Sequence, residues 1–236
     1  MIIRRLASSL LLITQPDHAA LAARIMRRWR DDDLARSPRR DDILYAIEHH
    51  DDGWLDVDRA PLVDATTGAL LDFITAPETI RRAIWPHGVA RLAHTPYAAA
   101  LVAQHALHIY RRNRDAAAWH SFVDEMEALR AQFLRAAAPA TLDALLHDYR
   151  WVRTGDVLSL AFCNGWTEVQ TDERGRSAQL IGERLVVTPD PFAGERVPLA
   201  IAGREMSDTP FASEADARAA YARAPAATLS GVAAGA

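Results

Sequence analysis

Residues 46–58 read AIEHHDDGWLDVD, and in them His50 and Asp51 follow directly on an apolar helical stripe of Ile43, Leu44 and Ile47. Imidazole and carboxylate are the side chains that bind hard and borderline metal ions, and here they continue a face that should be packed inside. Three more segments repeat the anomaly. His18 lies on the stripe Ala22, Ile25, Trp29, and His105 and His108 stand at i,i+3 in TPYAAALVAQHALHIYRR. Asp156 interrupts the apolar line Leu142, Leu145, Leu146, Tyr149, Val152, Leu160, Cys163 beside the small Gly155.

A single histidine on an apolar face is ordinarily a hydrogen-bonded core residue, and a single aspartate ordinarily bonds a neighbouring helix. Polar groups on four separate helices are harder to satisfy one at a time, because each costs several kcal/mol if buried without a partner. A metal ion satisfies them together. The expected ligands are His18, His50, Asp51, His105, His108 and Asp156, with Asp51, His105 and His108 as the catalytic candidates. A donor set without thiolate points to one or two divalent ions, Fe, Mn, Mg or Zn. Asp156 is expected in the same centre as His50 and Asp51, with Arg153, one turn before it, as the alternative partner. His94 precedes its helix and would need the loop to turn back. His49, His87, His120 and His147 read as surface residues or outer contacts.

The elements that must hold these residues are mostly helical. MIIRRL and SLLLIT read as a small hairpin. Pro16 and Asp17 suit a helix start, and the helix carrying His18 follows. The polar stretch 30–42 reads as a connecting loop and DILYAIEHHDD as the next helix. Residues 53–76, rich in Gly, Pro, Asp and Thr, read as an irregular excursion; with Gly53 as hinge, Trp54 and the loop after it are expected to cover the metal mouth. Helical patterns resume at ETIRRAIW and run through TLDALLHDYRWVRTGDVLSLAFC. After Gly165 come strand-like AQLIGERLVVT and RVPLAIA, then a short helix opened by Ser213 with Asp216, and an Ala/Gly-rich tail expected to fray in part. The expected fold class is therefore mainly α: a helical bundle over residues 1–165 with its N-terminal hairpin, and a β-rich extension over 166–236, the small antiparallel β appendage drawing on both termini.

Composition excludes several classes of partner. The 236 residues are 50% hydrophobic and 25% charged, with net charge −4, so no basic field steers the chain to nucleic acid or an anionic membrane. All 27 basic residues are arginines. Cys163 is the only cysteine, which excludes an internal disulfide and suggests a reducing compartment. LASSLLLIT is too short to span a bilayer. A cytoplasmic protein is expected, with a small-molecule substrate, no nucleic acid, no membrane and a homodimer left open.

AIEHHDDGW resembles the helix ending in His-Asp, then any residue and Gly, of the HD-domain superfamily of metal-dependent phosphohydrolases. The order His18, His50-Asp51, His94, His105, His108, Asp156 follows that superfamily's order of ligands. Over nearly the whole chain, QPDHAALAARIMRRW, HHDDGW, TPYAAALVAQH and TPDPF are also similar to an uncharacterised bacterial domain-of-unknown-function family of this type. The resemblance implies an HD-like helical bundle that hydrolyses a phosphate ester in a nucleotide-like molecule through a metal-activated water. Many such enzymes have Lys where this chain has Trp54, so Arg27, Arg28, Arg91 or Arg153 would have to hold the phosphate. The superfamily's di-iron oxygenases share the ligand set and form the second reading. A non-catalytic, metal-stabilised sensor or scaffold is the third.

Overall fold

The computed structural model describes residues 1–30, 32–172 and 175–236. The chain opens with a hairpin of β1 (Ile2–Arg5) and β2 (Ser9–Ile13), then α1 (Gln15–Arg27), the one-turn α2 (Asp32–Ala35) and α3 (Arg40–His49). A two-residue-strand hairpin, β3 (Leu62–Val63) and β4 (Leu70–Leu71), precedes the helices α4 (Glu78–Arg91), α5 (Pro96–Tyr110), α6 (Ala117–Ala136) and α7 (Leu142–Asn164). The last third holds β5 (Gln170–Thr171), β6 (Ser177–Ile181), β7 (Arg184–Thr188), β8 (Val197–Ser207), α8 (Glu214–Arg223) and β9 (Ala226–Gly235).

Seven strands form one sheet in the order β1-β2-β8-β9-β7-β6-β5, curved into a half-barrel. All its pairings are antiparallel except β7 with β9. β8 organises it, because Val197, Leu199 and Ile201 face inward while Pro198, Ala200 and Ala202 face out, the period of two that a half-buried strand requires. α1 rests on β8, and α7 on β1 and β6, so the sheet carries the two helices that bear His18 and Asp156. The joint is specific. The Arg4 guanidinium donates to the Phe162 carbonyl at 2.6 Å, and Trp29 packs edge-on to Phe192 at 5.8 Å and to Trp151 at 6.1 Å.

α5 is the buried axis of the helical part. PYAAALVAQHALHIY exposes hardly any of its surface, and its alanines let α3, α4, α6 and α7 close around it. Polar side chains inside such a helix must find partners, and Gln104 and His105 are the ones it buries.

The mainly α expectation is therefore corrected. The sheet is not a small appendage on an HD-like helical bundle but a full layer of the protein, and a large curved sheet is inconsistent with the all-helical HD fold, so the resemblance to that superfamily fails with it. The tail departs furthest from the expected fraying. AATLSGVAAGA has weak strand propensity, yet β9 sits between β8 and β7 with Ala233 and Ala234 buried. Its small residues are what the packing demands: a Cβ on Gly231 would stand 2.6 Å from the Phe162 ring of α7. The loop expected over 30–42 contains α2 and the start of α3, with position 31 outside the described residues.

The expected lid is also corrected. Trp54 is 2% exposed, and Asp58 accepts from the Met1 amine at 2.7 Å and from the Gln15 N–H at 2.6 Å. The Phe73 N–H donates to Met1 O and the Phe211 N–H to Gly68 O, which moors residues 62–73 to β1 and to the segment before α8. These bonds fix the segment at Asp58, Gly68 and Phe73, which leaves no hinged lid there. No helix is long and apolar enough to cross a membrane, among the described residues.

Candidate metal centre

Local structure aims each candidate inward. Thr14 caps α1 by accepting from the Asp17 N–H, and Pro16 occupies the first turn, which fixes where the helix begins and puts His18 on its buried side. α3 ends at His49. His50 still has helical dihedrals (φ −61, ψ −26) but Asp51 has left them (φ −107, ψ 15), so adjacent side chains can converge on one point. α7 reaches the same point through Gly155, whose Cβ position would lie 3.0 Å from Met26 Cγ on α1 and 3.1 Å from Ile47 Cγ2 on α3. That close crossing brings the next residue, Asp156, against His50.

The result is a cluster of three imidazoles and two carboxylates. His18, His50, Asp51 and His105 are all at most 5% exposed, and the Asp156 side chain is 14% exposed. His18 Nε2 lies 2.7 Å from Asp51 Oδ2; His50 Nε2 lies 3.6 Å from Asp51 Oδ2 and 3.5 Å from Asp156 Oδ1; His105 Nε2 lies 3.6 Å from Asp156 Oδ2. Two overlapping triads result, His18–His50–Asp51 and His50–His105–Asp156, each with ligand-type atoms within 4.8 Å of one another.

Every imidazole is gripped by its outer nitrogen. His50 Nδ1–H donates to the Ile47 carbonyl at 2.8 Å. The Ser159 hydroxyl gives its hydrogen to the Asp156 carbonyl at 3.0 Å, so its oxygen accepts from His18 Nδ1–H at 2.9 Å. His105 Nδ1 meets the Tyr149 hydroxyl at 3.0 Å. Such outer bonds orient metal-binding histidines and leave Nε2 for the ion. His50 Nε2 is the sharpest sign, being buried without a hydrogen-bond partner between two carboxylates.

Electrostatics shows what the cluster lacks. Burial opposes charge on His50, but Asp51 and Asp156 outweigh it and raise its pKa to about 9. Burial likewise opposes ionisation of Asp156, yet the facing His50 imidazole and the others nearby lower it to about 2; Asp51 is lowered by His50 and His18 against the same burial. Burial lowers His105 to about 4, which keeps it neutral. Two buried carboxylates therefore recruit a proton onto His50 as the nearest available cation. A divalent ion would take that place with more charge and more bonds. Donors about 2.1 Å from one ion stand about 3.0–3.4 Å apart in octahedral or tetrahedral geometry, so the gaps at His50 and His105 need close by only a few tenths of an ångström.

His108 does not join. One turn further along α5 the helix has left the level of the cluster, and His108 is exposed, its ring 5.5 Å from that of Tyr149. Asp156 turns to His50 and His105, while Arg153 lines a cavity on another side of α7. His94 bonds the Tyr45 hydroxyl at 3.0 Å, His49 bonds Asp52 at 2.9 Å, His120 pairs with Asp124 at 3.4 Å and His147 accepts from Arg150 at 2.9 Å. Trp85 packs edge-on to His105 at 5.6 Å. Sequence reasoning missed Ser159 and the role of Tyr149; the signal was their spacing, i+3 and i−7 from Asp156, which places all three on one helix face.

Ser159→Ala is expected to keep the fold and to weaken metal affinity about 10- to 100-fold, because His18 loses the group that fixes its tautomer. A competition titration against a chromophoric chelator measures this, and unchanged affinity would refute the assigned role.

No curated protein and no solved structure matches the chain. A family match covers residues 1–208, most of the chain and every member of the cluster, and the chain belongs to that family, described as Protein of unknown function (DUF3891).

Proposed function

We propose that the protein is a metal-dependent enzyme in which His18, His50, Asp51, His105 and Asp156 supply the ligands of a centre of one or two divalent ions. The observation that carries this reading is His50 Nε2, buried and without a hydrogen-bond partner between the Asp51 and Asp156 carboxylates. Its other nitrogen is committed to Ile47 O, so His50 offers Nε2 alone to an ion held by either of the two triads that share it. The chemistry such an ion supplies is Lewis acidity, applied to water and to an electrophilic oxygen of the substrate.

Hydrolysis of a phosphate ester in a small molecule is the activity we assign first. The two carboxylates remain ionised in the buried site and neutral His105 keeps a lone pair turned inward, which suits all three to hold an ion that activates water. Asp51 and His105 are the catalytic candidates that stay with the cluster. Oxygen activation at iron is the second reading. It is favoured by the absence of any arginine in hydrogen-bond or ion-pair contact with the five residues, among the described residues, since a phosphate would profit from one.

Purified protein is expected to carry one or two ions per chain by elemental analysis. Turnover of bis(4-nitrophenyl) phosphate with Mn, Mg or Zn, abolished by chelation and restored by the ion, supports hydrolysis. Iron-dependent uptake of dioxygen without phosphodiester turnover replaces hydrolysis with the second reading. A folded protein that binds none of these ions sinks both.

A further inference from the structure

A cavity of about 430 Å³ opens between α7, the end of α5 and strands β5 to β7, on another side of α7 from the metal centre. Its size lies in the range of small-molecule sites. The walls are mostly apolar, with Trp29, Leu146, Tyr149 and Leu158 among them. Into this surface come three guanidinium groups, Arg150, Arg153 and Arg176, with the Asp172 carboxylate among the described residues of the lining.

The arginines are placed rather than scattered. Arg150 stacks on Trp151 at 4.6 Å; Arg176 lies over the same indole at 5.2 Å and over Trp29 at 5.8 Å. Arg150 also donates to Asp33 at 2.9 Å, and Arg176 stands 3.8 Å from Asp172. Stacking holds the planar groups rigid, which reduces the ordering needed when they grip an anion. The Arg176 side chain is only 14% exposed. A rigid, half-buried guanidinium set beside aromatic walls matches a ligand with an anionic head and a flat apolar body.

One residue belongs to both places. Tyr149 lines the cavity, and its hydroxyl meets Nδ1 of His105, whose other nitrogen faces Asp156. We propose that this cavity is a second site, for a small aromatic or similarly flat organic anion, phosphate or carboxylate, and that Tyr149 couples its occupancy to His105. The anion site stands independently of the metal centre; the coupling rests on the proposed one.

The test uses the full chain and phenyl phosphate, with benzoate and inorganic phosphate as comparisons. Calorimetry on metal-free protein is expected to show phenyl phosphate binding well above inorganic phosphate. Binding of benzoate with equal or greater affinity would assign the head as a carboxylate within the same class. Arg153→Ala is expected to lower affinity about tenfold or more, and Arg153→Lys to recover part of it, since lysine keeps the charge but not the bidentate geometry. Absence of binding by both aromatic anions at millimolar concentration, or binding unchanged in Arg153→Ala and Arg176→Ala proteins with native circular dichroism, overturns the site. For the coupling, phenyl phosphate is expected to shift Co²⁺ affinity in the native protein and not in Tyr149→Phe. Equal shifts in both proteins overturn the coupling and leave the anion site standing, whereas failure to bind Co²⁺ at all counts against the metal centre alone.

Discussion

The His50→Ala protein is expected to purify without a stoichiometric divalent ion and to bind none when titrated. His50 is shared by both triads, and no other imidazole in the cluster lies within reach of both Asp51 and Asp156. Its loss also removes the cation that offsets two buried carboxylates, so stability should fall by about 1–3 kcal/mol, the usual cost of leaving buried polar groups unsatisfied. Because that cost blurs the comparison, Asp51→Asn supplies the isosteric control. It keeps the shape and a partner for His18 Nε2 while withdrawing one negative charge, and it should also lose the ion. Elemental analysis of both proteins decides the matter. Native metal content in either would remove that residue from the centre, and native content in both would end the assignment.

Gly155→Val is expected to produce the second large effect, on fold and site together. At this crossing α7 touches α1 and α3 through a position with no side chain, and a Cβ would already stand 3.0 Å from Met26 Cγ and 3.1 Å from Ile47 Cγ2. Met26 is flexible and can move. Ile47 is less free, since it is branched and its carbonyl holds His50. Valine should therefore prise the helices apart at a cost of about 1–3 kcal/mol, typical of overpacked cores, and carry Asp156 away from His50. Thermal denaturation should show a lower midpoint, and a metal titration weaker affinity. Gly155→Ala, which asks the neighbours to yield by a few tenths of an ångström, should show a smaller loss of both. A valine variant with native midpoint and native affinity would show that the close crossing does not position Asp156.

Much of the candidate centre was legible in the sequence because helical periodicity converts spacing into direction. His18, the His50-Asp51 pair, His105 and Asp156 each stood on an apolar stripe, and a stripe that turns polar must face a partner inside. Periodicity does not say how far along a helix the partner lies, which is why His108, on nearly the same face as His105, read as its equal. Only the packing of α5 shows that the cluster sits at the level of His105 and that one more turn leads outward.

The fold was legible only in part, and for a different reason. A strand's identity rests less on its own residues than on what lies beside it. β8 announced itself by alternation, but β9, rich in alanine and glycine, became a strand by pairing with β8 and β7, and at Gly231 Phe162 leaves no room for a side chain. Ser159 and Tyr149 needed the tertiary structure too, since their helix position was plain but their imidazole partners come from α1 and α5. The sequence by itself determined which side chains had to be buried together; the tertiary structure decided which of them meet, because non-local contacts between helices and across the sheet are set by packing that no single segment encodes.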